Sequence, residues 1–179
     1  GIKVDYVKVA DDIAVKDSLY TVGRRGVAGT IFVHKIAGAA ASKGYELARV
    51  KELAQKAAHN VISLGFAYTS CTVPAKGTPT FTLADDEMEY GVGIHGEPGI
   101  RREKILPSKE LAQRIVDDLF LDRPNLTEVA VLVNGFGTTP LQELYVFNND
   151  VCEHLASKGI KIYRTFVGNY MTSIDMAGA

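Results

Sequence analysis

The sequence predicts an α/β fold, a mixed β-sheet flanked by helices, and three observations carry that reading. The last third runs strand, helix, strand, the order of a βαβ unit. Val129 to Val133 is a continuous apolar run bounded by turn residues, which suits a central strand covered on both faces. Two alanine-rich stretches near the front place apolar residues at three- and four-residue spacing, the period of an amphipathic helix.

The elements follow in order. Ile2-Lys3-Val4-Asp5-Tyr6-Val7 alternates apolar and polar residues and predicts an opening strand. A similar run, Gly159-Ile160-Lys161-Ile162-Tyr163, recurs later with its glycine closing a helix. By analogy Gly1 is expected to close a helix that precedes it, and the chain is expected to be an internal fragment. Ile31 to Ser42 and Leu47 to Leu64 predict two antiparallel helices separated by Gly44. Ala67 to Val73 and Glu87 to His95 predict strands on either side of a loop at Pro74 to Pro79. Ser108 is expected to cap a helix reaching about Leu121, with Glu103 and Glu110 near its positive end. Thr139 is expected to cap the next, with Pro140 at the first helical position and Gln142 completing a capping box. That helix extends to Ser157, and Ile160 to Val167 supplies the last strand. A boundary near residues 60 to 66 is expected to divide the tail of a preceding α/β domain, residues 1–62, from a second α/β domain, residues 63–179.

Composition narrows the function. The 179 residues are 46% hydrophobic and 23% charged, enough for a buried core. Twenty basic against 21 acidic residues give a net charge of -1, so no general field attracts nucleic acid or an anionic membrane surface. The two cysteines, Cys71 and Cys152, sit in apolar runs without metal or disulfide spacing, which predicts a reducing, cytoplasmic setting. No apolar stretch approaches the roughly 20 residues of a membrane span.

The stretch Glu87-Met88-Glu89-Tyr90-Gly91-Val92-Gly93-Ile94-His95-Gly96-Glu97-Pro98-Gly99 holds the strongest candidate site. As a strand it points Met88, Tyr90, Val92 and Ile94 to a core, and Glu89, Gly91, Gly93 and His95 to the other face. Gly91 and Gly93 clear space beside His95, which sits at a strand end, where open α/β sheets place ligands. The pattern leaves two readings open: a covalent or acid-base histidine, or a tight turn whose imidazole is satisfied by a nearby carbonyl. Gly91, Gly93 and Gly96 also match the dinucleotide fingerprint, but that motif must open a helix, and Glu97-Pro98-Gly99 does not start one smoothly.

Other features are weaker. Asn134-Gly135-Phe136-Gly137-Thr138-Thr139-Pro140 joins a strand to a helix, and its amides either receive an oxyanion or only make a tight connection. It lacks the lysine of a phosphate-binding loop. Arg24 and Arg25 suit a phosphate or carboxylate, although a solvated basic turn is the simpler account. Asp85-Asp86-Glu87 is read as a solvated acidic turn. His34, His59 and His154 fall in helices without zinc spacing. Ser70 and Cys71 match no hydrolase signature, and no metal ligand set is expected.

Taken together and in order, several segments resemble the dihydroxyacetone-binding part of dihydroxyacetone kinases. They are Gly23-Arg24-Arg25-Gly26-Val27-Ala28, Ser70-Cys71-Thr72-Val73-Pro74, Phe81-Thr82-Leu83, Glu87 to Gly99, Leu132-Val133-Asn134-Gly135, Thr139-Pro140-Leu141 with Glu143-Leu144-Tyr145, and Thr172-Ser173-Ile174-Asp175-Met176. The resemblance spans nearly the whole chain.

It implies that His95 forms a hemiaminal with the ketone carbon of dihydroxyacetone, with Gly93 and Gly96 beside the substrate. It also implies that this chain binds no cofactor of its own: ADP or ATP with magnesium belongs to a separate nucleotide-binding subunit or domain, fed in many bacteria by the phosphotransferase system. A glycine-rich stretch with another catalytic histidine and an aspartate is expected ahead of Gly1, so the isolated fragment is expected to be inactive. A homodimer is expected for the full-length parent, with no direct nucleic-acid contact and no membrane. The alternative within the same resemblance is a regulatory triose-binding paralogue without kinase activity.

Overall fold

The structure, a computed structural model, describes residues 1–16, 23–94 and 97–179. They form two compact units, Gly1–Ser63 and Leu64–Ala179.

In the first unit, α1 (Thr30–Ser42) and α2 (Leu47–Asn60) form a hairpin around Gly44, whose φ of 77° the turn requires. Val33, Ala54 and Ala57 bury against Val7, Val9 and Ala37, small side chains that let the elements approach closely. Helix α2 ends at Asn60 rather than Leu64, because Val61 turns extended and Ser63 donates its amide to the Asp11 carbonyl. The opening run forms no strand: Ile2, Val4 and Tyr6 are 94%, 84% and 83% exposed. Alternation alone makes no ladder without a partner strand.

Behind that run, Asp11 and Asp12 are completely buried. The Asp11 carboxylate accepts the Val27 amide at 2.7 Å and the Gly29 amide at 2.9 Å, at the positive end of α1. The Asp12 Oδ2 meets Arg25 Nε at 2.7 Å. Burial pushes the Asp12 carboxyl above its ordinary value, and the Arg25 guanidinium pulls against it.

The second unit runs β1 (Phe66–Ala67), β2 (Glu87–Tyr90), β3 (Arg101–Lys104), α3 (Ser108–Asp122), β4 (Glu128–Asn134), α4 (Leu141–Ser157) and β5 (Lys161–Gly168). The α/β class holds. Antiparallel and parallel pairing both occur, divided between a sheet ordered β1-β2-β3 and a parallel pair β4-β5. Met88, Tyr90 and Phe66 pack on Leu111 and Ile115 of α3. Ala112 and Val116 of α3 with Val151 and Leu155 of α4 cover Val129, Val131 and Ile162 of the parallel pair.

Several elements differ from expectation. The strand expected over Ala67 to Val73 shrinks to two residues. The expected Glu87 to His95 strand stops at Tyr90, since Gly91 takes a φ of 74°. Strand β3 has no apolar period at all: Arg101-Arg102-Glu103-Lys104 is a charged edge held by backbone pairing with β2. The caps also differ. Pro107 and Pro140, not Ser108 and Thr139, flank the helices, and neither helix has a side-chain cap. The Ser108 hydroxyl donates to Asp150 instead, and the Thr139 hydroxyl donates to the Gly178 carbonyl and accepts its amide. Glu103 pairs with Arg114 rather than lying at the start of α3.

Candidate functional site: the turn after strand β2

Strand β2 brings two kinds of anchor to the base of the turn Gly91–Gly99. On one side Tyr90 is fully buried, its hydroxyl donating to Asp118 Oδ2 at 2.6 Å and its ring covered by the Arg101 guanidinium at 4.3 Å. Burial and the neighbouring Asp118 carboxylate push the phenol upward, so it stays a protonated donor. On the other side Glu89 is 4% exposed. Its Oε1 accepts the Gly99 amide at 2.9 Å and its Oε2 lies 3.3 Å from Arg102 Nε, its cross-strand neighbour.

The turn leaves and returns at one place. Gly91 donates its amide to the Gly65 carbonyl at 2.7 Å, and Ile100 donates to the Tyr90 carbonyl at 2.8 Å. A Cβ on Gly99 would stand 2.2 Å from the Tyr90 oxygen, so only glycine fits. Past Gly91 the alternation is lost. Val92 buries with Ala67, Cys71, Phe136 and Met176, with Ile94 packed against that cluster, rather than with Met88 and Tyr90. Gly93 is buried in the same stretch. His95 and Gly96 lie outside the described residues.

The chain from Glu97 to Ile100 is not helical, and β3 begins at Arg101. The dinucleotide pattern therefore lacks the helix whose amides would hold a pyrophosphate.

The second glycine turn is already filled. The amides of Gly135, Phe136 and Thr138 donate to the carbonyls of Gly168, Gly178 and Met176. Asn134 is buried, its side-chain oxygen accepting the amides of Tyr170 and Met171 and its nitrogen donating to the Met171 carbonyl. An incoming oxyanion would have to displace these bonds, so the geometry favours the tight connection. Arg25 is no solvated turn residue either: it is 8% exposed and bound to Asp12, while Arg24 is half-buried. Asp86 pairs with Lys104, and His154 Nε2 lies 2.9 Å from Asp117 Oδ1.

Sequence reasoning missed Asp11, Asp12 and the anchoring role of Glu89. The Asp11-Asp12 pair inside an otherwise apolar run was a usable signal, because charge in such a run needs dedicated partners. Glu89 was legible only as a face of the strand. Among the described residues, no cluster of three or more histidine, cysteine, aspartate or glutamate side chains could hold a metal, and no helix is long and apolar enough to cross a membrane.

The family model of the Dak1 domain matches residues 1–179. The chain belongs to the Dak1 domain family. The Dak1 chain is similar to "PTS-dependent dihydroxyacetone kinase 1, dihydroxyacetone-binding subunit DhaK" of Listeria innocua, 54% identical over 179 residues, covering 99% of this chain and 54% of that protein. Among solved structures it is similar to a dihydroxyacetone kinase operon co-activator, with a TM-score of 0.90 and 39% identity over 99% of this chain and 56% of that one. It is also similar to the dihydroxyacetone kinase from C. freundii in complex with AMP-PNP and Mg2+, with a TM-score of 0.81 and 35% identity over 95% of this chain and 31% of that one. The Dak1 chain thus spans about half the length, or less, of the relatives it matches.

Proposed function

We propose that this Dak1 chain is the substrate-binding part of a dihydroxyacetone kinase, and that His95, flanked by Gly93 and Gly96, holds the ketone covalently. The observation that carries the reading is the Dak1 match over residues 1–179 together with 54% identity to a subunit named for binding dihydroxyacetone. The chemistry agrees with it. A neutral imidazole nitrogen adds to the ketone carbon, the carbonyl π pair moves to oxygen, and that oxygen takes up the proton shed by the ring. No water leaves, so the protein gains one whole triose. Glycerol, similar in size and polarity, has no electrophilic carbon and is refused, a discrimination that hydrogen bonds to two hydroxyls do not easily supply. The bond holds the terminal hydroxyl for in-line attack on a phosphoryl group.

The nucleotide, ATP or an ADP recharged by the phosphotransferase system, sits with magnesium on a separate subunit or domain, and the working setting is the cytoplasm. The segment 1–62 is the tail of a preceding α/β domain. In the same reading the full-length parent is a homodimer. One observation favours a second reading: the structural likeness to a co-activator, with a TM-score of 0.90, exceeds that to a kinase, with 0.81. In that reading the ketose is bound for regulation and never phosphorylated.

The test is intact mass of the full-length protein under native conditions with dihydroxyacetone, beside His95→Ala. The wild type gains one triose and the variant, equally stable, gains none; equal adduct in both overturns the assignment. Supplying a nucleotide-binding kinase subunit and following dihydroxyacetone phosphate then separates the readings, since a regulator captures triose without turning it over.

A further inference from the structure

We propose that the turn Ser173–Met176, with Ile174 at its tip, is a docking knob for the separate nucleotide-binding subunit or domain. This rests on the reading of the chain as the substrate-binding part of a kinase, and adds to it the surface on which that partner sits.

The starting observation is a residue in the wrong conformation for its type. Met176 donates its amide to the Ser173 carbonyl at 3.1 Å, which closes a four-residue turn with Ile174 and Asp175 at its centre. Ile174 stands at the first central position with a φ of 57°. Turns with a positive φ there favour glycine, asparagine and aspartate, because a branched Cβ crowds the backbone. Burial does not offset that strain. Ser173 and Met176 are buried, whereas Ile174 between them is 58% exposed and joins no core cluster. Strain kept at an exposed tip points to a side chain held out for contact.

The mount is firm. Ser173 donates its amide to the Phe136 carbonyl, Thr138 donates its amide to the Met176 carbonyl, and the Asp175 carboxylate accepts the Thr72 amide. A knob fixed from three segments loses little freedom on binding. It also stands where open α/β sheets receive what they bind, in the loops after β4 and β5, two parallel strands whose last paired residues are Asn134 and Gly168. Thr138 ties the turn to the start of α4, whose first two turns expose Leu141 and Tyr145 on one face. Glu143 in the first turn of α4 and Asp175 in the knob are exposed, and among the described residues neither has a cationic partner.

Apolar side chains among unpaired carboxylates fit a protein that offers an apolar socket rimmed by lysine or arginine. Position selects the nucleotide-binding partner. Met176 buries in one cluster with Val92, against which Ile94 packs, so the knob is built on the same core as the glycine-rich stretch. A phosphoryl donor has to approach that part of the unit.

The experiment titrates the full-length protein with a nucleotide-binding kinase subunit loaded with ADP and magnesium, by calorimetry. Ile174→Asn removes the knob but suits its backbone conformation, so it unfolds in urea no earlier than wild type and binds the subunit roughly thirtyfold more weakly. Ile174→Leu keeps an apolar tip and binds within a few-fold of wild type. Leu141→Gln, on a helix surface, weakens binding without touching the turn and stands in should Ile174→Asn not fold. Leu121→Gln alters an exposed leucine near the end of α3, at the edge where β4 begins, and binds normally. A folded Ile174→Asn protein that binds like wild type overturns the proposal, as does an equal loss in Leu121→Gln. So does an Ile174→Asn protein whose only change, by light scattering, is from dimer to monomer, since the knob then joins two copies of this chain. A wild type that gains triose by intact mass but binds no subunit overturns the kinase reading instead, so the two failures are distinguishable.

Discussion

Two glycine-bearing stretches of the second unit look alike as sequence, and the bonds at their described residues differ in kind. Asn134–Pro140 is stitched along its length: successive amides find carbonyls at Gly168, Gly178 and Met176, and Asn134 clamps the 170–171 backbone with both ends of its amide. Gly91–Gly99 is anchored at its base, by Gly65 on departure and by Glu89 and Tyr90 on return. In the first turn glycine serves close packing, since a Cβ at Gly135 would stand 2.3 Å from Asn169 Oδ1 and one at Gly137 would stand 2.4 Å from the Ile174 carbonyl. The lesson is that glycine spacing does not reveal where a turn's amides go, and their destination decides whether a connection such as Asn134–Pro140 is already satisfied.

The largest effect expected of this contrast is at Gly137. Alanine there combines a φ of 136° with the 2.4 Å approach to Ile174, and no flexible side chain can yield. We expect Gly137→Ala to cost about 3 kcal/mol, from backbone strain and overpacking together. Urea unfolding measures it, and a loss under about 1 kcal/mol would mean that the stitched turn is pliable and the contrast is false.

Residues differ in how openly they announced this architecture. The βαβ segment was readable because β4 and α4 carry long, unambiguous periods that tertiary contacts reinforce, as Val129, Val131, Val151 and Leu155 show by sharing one core. Strand β3 was not readable: Arg101-Arg102-Glu103-Lys104 has no period, and its backbone pairing with β2 is a non-local fact. The expected caps failed for a related reason. Ser108 and Thr139 have the right chemistry at the right places, but Asp150 and Gly178 compete for their hydroxyls from distant parts of the chain. At the candidate site the sequence indicated a histidine after a glycine-rich strand end, and the proposed role of that histidine came from the family resemblance alone. What local pattern could not supply was Glu89, whose partner Gly99 reaches it only because the chain folds back.

The neighbour of the stitched turn offers a smaller, opposite effect. Ile174 holds a φ of 57°, a left-handed conformation that a β-branched residue adopts at a cost, and it is 58% exposed. Asparagine tolerates that conformation and gives up little burial, so Ile174→Asn should raise stability by about 0.5 to 1 kcal/mol. Urea unfolding beside Gly137→Ala gives both signs in one series. A destabilised Ile174→Asn would show that the exposed side chain contributes more than the strain costs.

The smallest effect is a pH dependence at Asp175, next in the same segment. Its Oδ1 accepts the Thr72 amide at 2.7 Å, and that bond holds its carboxyl below the ordinary 3.8. A carboxyl whose folded value is depressed binds fewer protons folded than unfolded in this range. Its contribution is therefore complete above pH 3.8 and fades as the pH falls through the lowered folded value. The group is open to solvent, so the effect is modest and is best read as a difference. Asp175→Ala should unfold at a slightly lower temperature than wild type at pH 7, and the gap should narrow as the pH falls below 3.8. A gap that persists unchanged at the acid end would mean that Asp175 acts through backbone conformation alone, and that Thr72 is held to this segment without help from charge.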